Sequence, residues 1–166
     1  MKFELKEIQQ LTGRRCKIYS IRIDGDEKTL FDRFTEENKA DFPEETKNIL
    51  LKLKFIGQDD GAKDHYFRPK KEGKLGDGVE ALFDQPNANL RVYAIKYSRI
   101  LLVLGGGGPK SKDIRAFQED PKLTKENYLV RQIAAILYKA IRDKDLRWNK
   151  QGDNFEGQFY FDSEDY

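Results

Sequence analysis

The residues best suited to chemistry stand near the middle of the chain, at 90–117, in the run LRVYAIKYSRILLVLGGGGPKSKDIRAF. Strand alternation over 90–96 places Arg91, Tyr93 and Ile95 on one face and Leu90, Val92 and Ala94 on the other. A guanidinium beside a phenol can grip a phosphate and stack on a base. The same pair also occurs as plain cross-strand packing on a solvated sheet. Further on, an apolar strand at 101–104 runs into four glycines, Pro109, and then Lys110, Ser111 and Lys112. Strand, glycines and lysines in that order commonly bring backbone N–H groups and cations to a phosphate. Arg91, Tyr93 and Lys110 are therefore the candidate catalytic set. Arg68, Lys70, Lys71, Lys96 and Lys112 are the candidate polyanion contacts.

Other chemistries fit less well. A nucleotide-hydrolase loop ending at Lys110-Ser111 needs Gly at 109 and 104, where Pro109 and Leu104 stand. A plain glycine run also lacks the βαβ context of a dinucleotide fold. His65 is the only histidine and Cys16 the only cysteine, so neither a disulfide nor a histidine- or cysteine-based zinc site is expected. Cys16 lies in a β-like run and reads as a small buried residue rather than a nucleophile. His65, beside Tyr66 and Arg68, reads as a loop histidine. No cofactor and no metal are expected.

The charge is unevenly spread. Residues 62–115 hold eleven bases against six acids, whereas residues 151–166 hold five acids and no Lys or Arg. A basic middle and an acidic end suggest a polyanion site with an intramolecular competitor. The alternative for the end is a final strand added to the sheet, or a frayed terminus. No uninterrupted apolar run has the length of a signal peptide or a membrane span, so a cytoplasmic protein with no membrane partner is expected.

The elements that must position these residues are legible from periodicity. Two strands are predicted over 1–8 and 16–24, with Tyr19, Ile21 and Ile23 on one face and Ile18 on the other. A short helix is predicted over 27–38 and a stronger one over 43–56, opened by Pro43, Glu44 and Glu45 and carrying Ile49, Leu50, Leu53 and Ile56 as one stripe. Loop and short strand follow over 57–89, then the hairpin 90–104 turning near Tyr97 and Ser98. A short helical piece is predicted over 111–118, and a long amphipathic helix from Thr124 to about Asp143. The fold class expected is α+β, a small, mainly antiparallel sheet packed against helices.

The order strand, two helices, basic loop, GDGVEALF at 76–83, LRVYAI and RILLVLGGGGPKSK resembles the RelE/ParE toxin superfamily, closest in flavour to its HigB-like, phage-derived group. Arg91 matches the strand arginine, 101–104 the apolar strand, and Lys110 and Lys112 the lysine segment, over roughly residues 15–142. The resemblance implies a single RelE-like domain over 1–150, followed by an acidic aromatic tail at 151–166. It implies a toxin of a toxin–antitoxin pair, a metal-independent endoribonuclease that cleaves mRNA on the ribosome and is restrained by a cognate antitoxin of helix-turn-helix type. The RNA's own 2′-hydroxyl attacks the neighbouring phosphate in such a reaction, so Lys, Arg and Tyr suffice. Two alternatives remain open at this point: a gyrase inhibitor of the ParE kind, and a non-catalytic protein- or nucleic-acid-binding protein with a toxin-like fold.

Overall fold

The computed structural model describes residues 1–68, 76–83, 87–110 and 120–166. Its centre is a six-stranded mixed sheet in the order β3-β4-β5-β2-β1-β8. The strands are β1 (Lys2–Glu7), β2 (Lys17–Ile23), β3 (Val79–Leu82), β4 (Leu90–Tyr97), β5 (Leu101–Pro109) and β8 (Tyr160–Asp162). Four pairings are antiparallel; β2 and β5 run parallel. A short hairpin of β6 (Leu146–Trp148) and β7 (Phe155–Gly157) stands apart from it. Three α-helices, α1 (Leu30–Asn38), α2 (Pro43–Phe55) and α3 (Pro121–Arg142), complete an α+β architecture. Among the described residues no helix is long and apolar enough to cross a membrane.

Alternation along the strands makes two cores, one on each side of the sheet. Ile18, Val92, Ala94, Leu102 and Leu104 pack with Phe31 and Phe34 of α1 and Ile49 and Leu53 of α2. Tyr19, Ile21, Tyr93, Ile95 and Val103 pack with the apolar stripe of α3. The helices start where their caps direct. Thr29 accepts the Asp32 N–H at 3.1 Å, and Asp120 accepts the Leu123 N–H at 3.0 Å ahead of Pro121. Pro43 opens α2, but Leu50, expected within its buried stripe, is exposed, as are Leu51 and Phe55.

The four glycines, read from sequence as a loop leaving the strand, are instead the second half of β5 and are buried. Tyr93 on β4 stands opposite both Gly105 and Gly106, because the register shifts there from Val92–Gly107 to Ala94–Leu104. The missing side chains are a packing requirement. A Cβ at Gly105 would lie 2.3 Å from Val130 Cγ2, and one at Gly107 would lie 1.8 Å from the carbonyl oxygen of Arg91. The strand therefore carries no side chains where α3 and β4 come closest.

The acidic end of the chain belongs to the sheet. β8 pairs with β1, the Leu5 N–H donates to the Phe159 oxygen at 2.8 Å, and the fully buried Phe161 stacks on Phe3 with ring centroids 5.3 Å apart. The added strand, one of the three arrangements open from sequence, is the one adopted. Asp162 thereby lies beside Lys2 of β1 at one edge of the sheet, whereas Asp153 and Glu156 belong to the separate β6–β7 hairpin.

Two stability outcomes follow from these contacts. Gly107→Ala is expected to lower unfolding free energy in urea by at least about 2 kcal/mol, because the added carbon meets backbone. Gly108→Ala meets only the flexible Lys122 stem at 3.0 Å and is expected to cost under about 1 kcal/mol. Phe161→Ala should cost about 3–5 kcal/mol by the same measurement; a free tail would show almost none.

Candidate functional site

The parallel pair β2 and β5 determines where a site can form. Their pairing covers only residues 17–20 and 101–104, so the glycine half of β5 is paired on the β4 side alone. Ser20 marks the division. Its hydroxyl donates to the Leu104 carbonyl at 2.8 Å and accepts the Phe31 N–H at 3.2 Å, tying the start of α1 to this point. The chain leaving β2 enters α1 on one face, while the helix after β5, α3, packs on the other. A crevice at the carboxyl ends of such strands is the usual ligand position in sheets with parallel strands. A cavity of about 340 Å³ is lined by Gly25, Asp26, Glu27 and Lys28 of the β2–α1 connection and by Arg33 of α1.

Charged side chains from both helices meet at this end. Glu126 of α3 is 95 % buried, held over the backbone of Gly106, where a Cβ would come within 2.5 Å of its Oε2. Its Oε1 accepts from Arg33 Nη2 of α1 at 3.1 Å and lies 3.6 Å from Lys122 Nζ. Lys122 Nζ also lies 3.5 Å from Glu37 Oε1. Glu126 Oε2 has no hydrogen-bond partner among the described residues. A buried carboxylate is tolerable only beside such cations, because desolvation otherwise penalises its charge.

Of the residues singled out from sequence, Arg91 and Tyr93 do share the α3-side face of β4, yet they are only 4 % and 3 % exposed. The expectation of a guanidinium and a phenol presented to solvent fails: Tyr93 packs in the core beneath α3, and Arg91 is buried as well. Arg91 stands opposite Gly108 in the register, beside the strand position that Lys122 overlies. Lys110 is half-buried just past the strand, its N–H donating to the Asn89 oxygen at 2.8 Å. These residues gather at one end of the sheet.

Lys96 and Arg68 lie elsewhere. Lys96 Nζ binds Asp64 Oδ1 at 2.5 Å and sits 4.6 Å from the Phe67 ring centroid. The Arg68 N–H donates to the Ala81 oxygen at the β3 margin. Lys70, Lys71 and Lys112, and the helical piece expected over 111–118, fall outside the described residues. Cys16 is buried, and burial pushes its thiol up to about 12, which suits a core residue and not a nucleophile.

Sequence reading missed Arg33, Lys122 and Glu126. One signal was available: Glu126 and Asn127 interrupt the helical stripe of Leu123, Val130, Ile133, Ala134 and Leu137. A carboxylate on the face that must be buried needs a partner, and Arg33 and Lys122 are those partners.

Tyr66 gives the fold an alkaline limit. Desolvation, followed by its hydrogen bond to Asp60 Oδ2 at 2.5 Å, pushes its phenol up to about 12. The unfolded chain loses this proton near pH 10, about two units earlier, so stability falls as pH rises from about 10 to 12. Burial raises Tyr19, Tyr97 and Tyr166 as well, so Tyr66→Phe is expected to lessen that decline in urea titrations taken across the interval; an unchanged slope would remove Tyr66 as a contributor. No protein-family model, curated protein or solved structure matches this chain.

Proposed function

We propose that this chain is a HigB/RelE-like toxin that cleaves RNA without a metal cofactor. Ribosome-bound mRNA is its substrate, and an antitoxin of helix-turn-helix type is its partner. The observation that supports this reading is the meeting of one buried carboxylate with cations from separate elements at the carboxyl end of β5: Glu126 with Arg33 and Lys122, and Lys110 just past the strand. Cleavage through the RNA's own 2′-hydroxyl needs a proton acceptor and positive charge, and this set provides both.

In this reading Glu126 takes the proton of the 2′-hydroxyl through Oε1, the oxygen that faces Arg33 and Lys122, since Oε2 is buried over Gly106. The 2′-oxygen forms a bond to phosphorus as the bond to the 5′-oxygen breaks, leaving a 2′,3′-cyclic phosphate and a 5′-hydroxyl end. Lys110 and Lys122 supply charge for the phosphoryl oxygens, and Lys110 protonates the departing 5′-oxygen. Arg33 holds the Glu126 carboxylate in place. Arg91 acts from within the sheet, adding positive potential where the dielectric is low, and Tyr93 supports the bulge opposite Gly105 and Gly106.

A second reading, a non-catalytic binding protein of the same fold, is favoured by the burial of Arg91 and Tyr93. Induction in cells separates the two. Wild type should arrest growth and cut mRNA, while Lys110→Ala and Glu126→Gln should each lose about 100-fold or more of the cleavage. Tyr138→Ala, on the exposed side of α3, should retain it. Equal cleavage by all four proteins would overturn the assignment of the site; a folded wild type that cuts nothing would leave the binding reading.

A further inference from the structure

At the opposite end of the sheet, where β2 and β5 begin, the structure holds a second cationic surface that the cleavage reading does not use. Gly13 and Gly57 lock a turn against the end of α2: a Cβ on Gly13 would lie 2.3 Å from the Gly57 oxygen, and one on Gly57 would lie 2.0 Å from the Leu11 oxygen. The Gly57 oxygen accepts the N–H groups of both Arg15 and Cys16, at 2.9 and 3.1 Å. Gln58 ties the turn again through Nε2 to the Thr12 oxygen at 3.1 Å. The backbone carrying Arg14 and Arg15 is therefore fixed before any ligand arrives.

The side chains on this turn keep their charge available. Arg14 and Arg15 are exposed. Among the described residues Arg14 Nε donates only to the Gln58 carbonyl, Lys17 Nζ only to the Gly13 carbonyl, and no carboxylate pairs with Arg14, Arg15 or Lys17. The carbonyl-rich end of α2 favours cations here. Arg99 adjoins them, since Gly61 packs between the carbonyl oxygens of Arg99 and Arg15, and the Lys17 N–H donates to the Ile100 oxygen at 2.8 Å. Next to Asp64, which binds Lys96, the exposed His65 ring lies on Tyr66 with centroids 4.1 Å apart, and the Tyr66 hydroxyl is anchored on Asp60.

We propose that the Arg14–Arg15 turn is a docking site for the phosphate backbone of a structured RNA, and that the His65–Tyr66 pair stacks on an unpaired base beside it. Adjacent arginines on a rigid turn present guanidinium forks to phosphate oxygens with little ordering cost. An exposed ring backed by a second, half-buried one beside cations is a platform for a nucleobase. The nine residues of β5 separate this site from Lys110 by roughly 25–30 Å at strand rise. An RNA engaging both ends must therefore span at least that distance. The inference rests on the RNA-directed reading and adds where the surrounding RNA is held.

Binding is tested with an RNA hairpin that is 2′-O-methylated throughout, so that cleavage cannot contribute and failure of the catalytic reading stays separate. Arg14→Ala/Arg15→Ala should weaken binding about tenfold and lower the salt slope by about two, as loss of two phosphate contacts requires. Lys47→Ala/Lys54→Ala removes the same charge from the exposed side of α2 and should leave affinity within about twofold. His65→Ala should weaken a hairpin carrying an unpaired purine tail about fivefold but leave a blunt one unchanged. Arg15→Glu alone, which breaks no bond between described side chains, covers the case in which the double variant fails to fold. Unchanged affinity in the arginine variants, or equal losses in the lysine variant, would overturn the proposal.

Discussion

The absence of side chains along the second half of β5 is the constraint on which the rest of the structure depends. Because Gly105 and Gly106 carry no Cβ, Val130 and Glu126 of α3 sit against the strand backbone itself. That approach covers Tyr93 on β4 and seats the Glu126 carboxylate over Gly106. Gly107 serves β4 in the same way, leaving room for the carbonyl of Arg91. A strand of four glycines is entropically costly and packs little surface. It persists here because the helix above it provides the missing contacts.

From that seat follows the charge arrangement. A carboxylate with one-twentieth of its surface exposed cannot stand alone, so Arg33 from α1 and Lys122 from its own helix are drawn to it. Arg33 belongs to a helix on the opposite face, and it reaches Glu126 because β2 no longer pairs with β5 beyond Ser20 and Leu104. The interaction thus joins the two helical layers at the carboxyl end of the parallel pair. Glu126 joins the layers through one oxygen, and its other oxygen is buried over Gly106 without a hydrogen-bond partner among the described residues.

Much of the fold was legible in the sequence. The first two strands, α2, the hairpin at Tyr97 and Ser98, and the body of α3 follow from periodicity, and the face of β4 that holds Tyr93 and Ile95 is the one alternation predicts; α3 begins at Pro121 behind the Asp120 cap rather than at Thr124. The glycines were misplaced because a run without side chains has no periodicity, and strand continues through it only by virtue of Val130 and Glu126, far along the chain. The site was half legible for the same reason. Arg91 and Tyr93 were identified by type and face, but their burial depends on tertiary packing, which local reading cannot supply. Lys110 was found by adjacency to the glycines. Arg33 lay in a helix whose sequence reads as ordinary surface, and only its pairing across 93 positions to Glu126 reveals it. The acidic end was open between three arrangements, and the match of Phe161 to Phe3 decided it.

The central claim is that the carboxyl end of β5 cleaves RNA through the substrate's own 2′-hydroxyl, with protein side chains alone supplying the proton acceptor and the charge. End-group analysis of mRNA recovered from ribosomes incubated with the purified protein in excess EDTA tests it most directly. The account predicts fragments ending in 2′,3′-cyclic phosphate with 5′-hydroxyl partners, formed undiminished in the chelator. Fragments bearing 3′-hydroxyl and 5′-phosphate ends, or cleavage that the chelator abolishes, would contradict it.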